Sequence, residues 1–123
     1  MRQEISNQVG YKRLIVWNRA HELVVKTYKV TDNFPKNEIF GLTSQMRRSA
    51  VSVPANIVEG YSRKSVKEKL NFYNIARASL SELEYYIDLS FELNYFDKKS
   101  YDQLLNARAE VGRLLNGFIN SFM

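Results

Sequence analysis

His21-Glu22-Leu23-Val24-Val25 begins like the helix of a zinc protease, in which two histidines four residues apart hold the metal and a glutamate acts as base. Position 25 is valine, so the second ligand is missing. His21 is the only histidine and there is no cysteine, so no nitrogen- or sulfur-rich metal site is expected. The Glu-x-x-His pairs of di-iron bundles and the glycine-rich phosphate loop are also missing from the sequence. The expectation is a protein without catalytic residues, metal or cofactor, in which His21 is a helix residue near a bundle end.

A second group is the polar row Arg48, Ser52, Asn56 and Glu59, spaced at three and four residues along one helix. Arginine and asparagine are competent for phosphate and base edges, which makes the row a candidate ligand contact. The competing reading is a structural or subunit-interface network. Arg48 and Glu59 lie about 16 Å apart along a helix, so each needs a partner on another element. Arg77, Ser81 and Glu84, farther along the chain at spacings of four and three, are the candidate partners. The network reading is preferred, because buried polar groups fix register. Stranding either charge in a buried site would cost on the order of 3 kcal/mol.

A third group is basic: Lys12, Arg13, Arg19, Arg63, Lys64, Lys67 and Lys69. Their meaning depends on the elements that carry them. From Leu14 a three-four apolar rhythm continues through Trp17, Ala20, Leu23, Val24, Thr27 and Tyr28 until Phe34-Pro35, where the residue before proline leaves the helical region. The central helix, residues 42–62, presents Leu42, Met46, Ala50, Val53, Ile57 and Tyr61 as an apolar stripe beside the polar row. Small residues and an internal Pro54, which favours a bend, adjoin both rows. Ser65-Val66-Lys67-Glu68 has capping-box form and opens the longest helix, to about residue 94. That helix carries two apolar rows, one through Tyr73, Leu80 and Ile87, the other through Phe72, Ala76 and Leu83. The second row suggests a further partner. Asp97 is a good cap for a last helix over 98–121. Tyr28, Phe34, Phe72, Tyr73, Phe118 and Phe122 are core candidates, whereas Tyr11 and Tyr61, beside basic residues, could stack on bases.

The fold expected is all-α: one antiparallel up-down-up-down four-helix bundle over residues 1–123, with a loose arm at 1–12. In that topology the seven basic residues gather at one pole against Glu22, Glu59 and Glu68, and Asp32, Glu38, Asp88, Glu92, Asp97 and Asp102 gather at the other with Lys36, Lys98 and Lys99 among them. The formal net charge of +5 leans toward a polyanion. With no cysteine, no apolar leader and no apolar run near the ~20 residues of a membrane span, a cytoplasmic protein without membrane contact is expected.

Val16-Trp17, Ala20-His21-Glu22-Leu23, Phe34-Pro35, Gln45-Met46-Arg47-Arg48-Ser49-Ala50, Pro54-Ala55-Asn56-Ile57-Val58-Glu59-Gly60 and Ala76-Arg77-Ala78-Ser79-Leu80-Ser81-Glu82-Leu83-Glu84 are distinctive together. They resemble the four-helix-bundle family encoded in intervening sequences of bacterial 23S ribosomal RNA genes, also labelled S23 ribosomal protein, over residues 14–115. That family is similar to the accessory variability determinant of diversity-generating retroelements, a homopentamer that binds nucleic acid and a reverse transcriptase. The resemblance implies a bundle, a ring-like homo-oligomer with a pentamer expected, a role with RNA or DNA, a partner protein, and no established catalysis. A protein-interaction scaffold without a nucleic-acid role is the alternative. A structural ribosomal protein fits poorly, since long basic tails are missing.

Overall fold

The chain folds as four α-helices in the computed structural model, which describes residues 9–123. They are α1 (Ile15–Thr31), α2 (Leu42–Ser62), α3 (Val66–Glu92) and α4 (Lys98–Asn120), with 3-10 turns at Gly10–Arg13 and Lys36–Glu38 and no strand among the described residues. The class is all-α, as the periodicity requires. Most of the expected arm, residues 1–8, lies outside the described residues. Its end does not match the expectation of a loose segment. Tyr11 packs edge-on against Trp17, and Asn18 Nδ2 donates to the carbonyls of Lys12 and Leu14 at 2.8 Å each, tying the turn to α1.

Local chemistry explains the helix ends. Ser65 Oγ accepts from the Glu68 amide at 3.1 Å and Asp97 Oδ1 from the Ser100 amide at 2.8 Å, the two caps expected from sequence. Asn94 takes the left-handed conformation (φ 62°) after α3, and the Tyr95 amide then donates back to the Ser90 carbonyl at 2.9 Å. The start of α2 has no cap of the usual kind; Glu38 Oε1 reaches forward to accept from the Leu42 amide at 3.0 Å.

The core runs through all four helices, from Val16, Ala20 and Leu23 through Met46, Val53 and Ile57 to Leu80, Leu83, Val111 and Leu115. α2 and α3 approach most closely, because small residues line their contact. A Cβ added at Gly60 would stand 2.5 Å from the Tyr73 ring. Phe34, after α1, packs on Tyr95 and Phe96, after α3; Tyr73, early in α3, packs on Phe118 and Phe122, late in α4. Both sets of contacts fit a chain running up, down, up and down.

Two packing expectations change. The two apolar rows of α3 merge into one broad buried stripe, Tyr73, Ala76, Leu80, Leu83 and Ile87. The apolar residues left outside are Val66, Ile75, Tyr85 and Leu93. Tyr28 is also no core residue: it is 43% exposed, because its ring carries the Arg47 guanidinium, 4.6 Å from its centroid. Phe34, Tyr73 and Phe118 are buried as expected, while Phe72 and Phe122 are half-buried.

Candidate nucleic-acid interface

The seven basic residues do not share one condition. Lys69, near the start of α3, turns back so that Nζ donates to the carbonyls of Tyr61 at 2.9 Å and Gly60 at 3.4 Å, closing the C-terminus of α2. Arg63 pairs with Glu59 one turn earlier at 3.2 Å and lies over the Phe72 ring at 4.7 Å. Arg19 meets Glu22 at 3.3 Å and Glu110 of α4 at 3.7 Å. These three cations have structural partners. Lys12, Arg13, Lys64 and Lys67 are exposed, and the ammonium groups of Lys12, Lys64 and Lys67 have no hydrogen bond or ion pair among the described residues. Lys64 and Lys67 flank the Ser65 cap, where the first amides of α3 face outward.

Beside Lys12 stands an aromatic group. Trp17 and His21 stack with ring centroids 5.2 Å apart and planes within 7°, and Tyr11 meets Trp17 at 5.0 Å. Tyr11, a ring that could stack on bases by the sequence reading, packs against Trp17. Tyr61, the other stacking candidate, is half-buried with Lys69 Nζ 5.6 Å from its ring.

The polar row of α2 divides into separate contacts. Ser52 and Ser79 share a hydroxyl hydrogen bond at 2.8 Å, and Asn56 Nδ2 donates to the Ser52 carbonyl and hydroxyl at 2.8 and 3.0 Å. Arg48 does cross to α3, but its partner is Glu82, with Gln45 as a second acceptor. The Tyr86 hydroxyl also donates to Glu82 at 2.6 Å, and that bond, with the Arg48 contact, holds the carboxyl below its ordinary range against the opposing effect of burial. Glu59 needs no other helix, since Arg63 lies within reach on the following turn. Arg77 donates to Asn74, Ser81 to the Arg77 carbonyl, and Glu84 pairs with Arg108 of α4 at 3.3 Å. The expected single network across Arg48, Glu59, Arg77 and Glu84 is therefore corrected: the four belong to four contacts. The side chains of Arg48 and Glu82 are 53% and 37% exposed, so the cost attached to a buried charge does not apply.

On the outside of α2 and α3, Ser44, Val51, Ala55, Ile75, Ala78 and Tyr85 are exposed; Arg48 and Glu82 are paired with each other across the two helices, and Arg47 shares a pocket with Ser44 and Val51. No cluster of three or more potential metal ligands occurs among the described residues, and no helix there is long and apolar enough to cross a membrane.

The model of the 23S rRNA-intervening sequence protein family matches residues 12–117. The chain belongs to that family. A solved structure from Bacteroides thetaiotaomicron, described as a protein of unknown function from the S23 ribosomal protein family, is similar at a TM-score of 0.76 and 29% identity. The match covers 85% of this chain and 97% of that one. No curated protein matches. The family relation supports the fold and leaves the site to be argued from its residues.

Proposed function

We propose that this protein is a non-enzymatic homo-oligomeric bundle that binds RNA or DNA through its basic pole, in the cytoplasm, as an accessory to another protein. The observation that carries the reading is the contrast among the cations of that pole. Lys12, Lys64 and Lys67 are exposed and have no partner among the described residues, and Lys64 and Lys67 flank the first amides of α3, where a phosphate chain supplies the missing counter-charge. Self-association uses the outer face of α2 and α3, where Arg48 and Glu82 neutralise each other. A chain with 25% charged residues that leaves Val51, Ile75 and Tyr85 exposed between helices has a surface suited to another copy. A ring of such copies multiplies the basic pole. The family's name refers to a 23S rRNA-intervening sequence, which gives RNA priority as a probe.

The test is binding to mixed single-stranded and duplex nucleic acids across a salt series, with mass measured by light scattering. Several times the 14.4 kDa chain mass is expected, with the pentamer as the specific value. The logarithm of affinity should fall by about 0.9 per neutralised phosphate for duplex and about 0.7 for single strands. A monomer that binds neither at low salt ends this reading; an oligomer that binds neither leaves the interaction scaffold.

A further inference from the structure

We infer that the Trp17–His21 stack, braced by Tyr11, is a platform for one unpaired nucleobase and makes the basic pole prefer single strands. The inference rests on the nucleic-acid reading above and adds what lysines alone do not provide, since phosphate contacts serve any strand. Trp17 and His21 are four residues apart on α1, the spacing that sets one side chain above the other. Their rings are parallel within 7°. The indole is half-buried and braced at 63° by Tyr11, whose turn is fastened to α1 by the two Asn18 hydrogen bonds. The platform is thus rigid before any ligand arrives.

His21 is exposed, and among the described residues its ring has no hydrogen bond, ion pair or ring contact other than the Trp17 stack. One imidazole face covers the indole, and the residue as a whole is exposed. Lys12, whose ammonium has no partner among the described residues, sits on the same turn as Tyr11. An open flat ring on a fixed support, next to a cation for the backbone, is the arrangement by which proteins hold single strands without reading sequence. In a duplex the base faces are covered by their neighbours, so a base reaches His21 only from an unpaired segment.

Trp17 is the one tryptophan in the chain, so its emission reports on this spot alone. The experiment titrates the full chain at low salt with a labelled oligouridylate and with an RNA duplex of equal length, following anisotropy and tryptophan fluorescence together. Oligouridylate should change Trp17 emission in step with binding. His21→Ala should weaken single-strand affinity roughly five- to hundredfold, the range supplied by stacking one base. His21→Phe, which keeps a flat ring, should restore it, and duplex affinity should stay within about twofold for both. If His21→Ala disturbs the helical signal, His21→Phe against His21→Leu makes the same comparison. Single-strand binding at wild-type strength in the Ala and Leu variants, with Trp17 emission unmoved, overturns the platform and leaves the nucleic-acid reading standing. Binding of neither probe to the wild type removes both.

Discussion

The two ends of the bundle are built from similar materials and arranged to opposite effect. At the end that holds the α1–α2 and α3–α4 connections, three acids are matched to donors. Glu38 accepts from the Tyr95 hydroxyl at 2.7 Å as well as from the Leu42 amide, Asp88 accepts from the Tyr101 hydroxyl at 2.7 Å, and Lys98 pairs with Asp102 at 2.8 Å. Aromatic rings seal it: Phe34 on Tyr95 and Phe96, and Phe91 stacked on Tyr101 at 4.2 Å. The other end is also sealed by rings, Tyr73 with Phe118 and Phe122, and two of its cations, Arg63 and Lys69, serve the α2–α3 turn. Lys12, Lys64 and Lys67 have no partner among the described residues. A charge already paired within the fold acts as structure, whereas an exposed, unpaired charge is available to a ligand. Summed charge hides this distinction.

The largest effect should come from the seal of the basic end. Tyr73 is 1% exposed, and burial pushes its hydroxyl up to about 12. Tyr73→Ala should lose about 3–5 kcal/mol of stability, as for other large buried rings cut to alanine, measured by urea unfolding. If the loss is under about 1 kcal/mol, the basic end is held by its charges and the comparison fails.

Arg48→Ala removes the ion pair between α2 and α3. Because both partners are substantially exposed, the expected loss is at most about 1 kcal/mol. A loss near the buried-charge figure would mean that assembly covers the pair, and it should then appear together with a drop in oligomer mass.

At the acidic end, Glu38 is held below its ordinary value of 4.5, first by the Leu42 amide and then by the Tyr95 hydroxyl. A depressed carboxyl contributes stability that is full above its unfolded value and is lost as pH falls through the folded one. Glu38→Gln should therefore melt below wild type at neutral pH, and the gap should narrow once pH falls below about 4.5. A gap that stays constant with pH would assign the effect to side-chain shape.

The smallest effect on stability belongs to the unpaired lysines. Lys12, Lys64 and Lys67 changed together to Gln should each move stability by no more than about 0.5 kcal/mol, while the salt slope for single strands flattens by up to about 2. Marked destabilisation with an unchanged slope would reverse the contrast between the two ends.

The four helices were legible from the sequence because their determinants are local. Three-four spacing, the Ser65 and Asp97 caps and the Phe34-Pro35 stop each act within a few residues. The lack of a second histidine or any cysteine likewise settled the expectation about metal before folding was considered. Partner choice was not local. Arg48 finds Glu82, not Arg77 or Glu84, because the partner across α2 and α3 is set by how far each helix is rotated and shifted against the other. Glu59 and Arg63 pair along one helix end, as their spacing of four allows, so that contact was legible in the sequence. The bracing of Trp17 by Tyr11, the forward reach of Glu38 and the separation of free from engaged lysines depend on turns whose shape no periodicity encodes. Spacing along the chain determines which residues share a helix face; only packing decides which of them meet a neighbour and which remain in water.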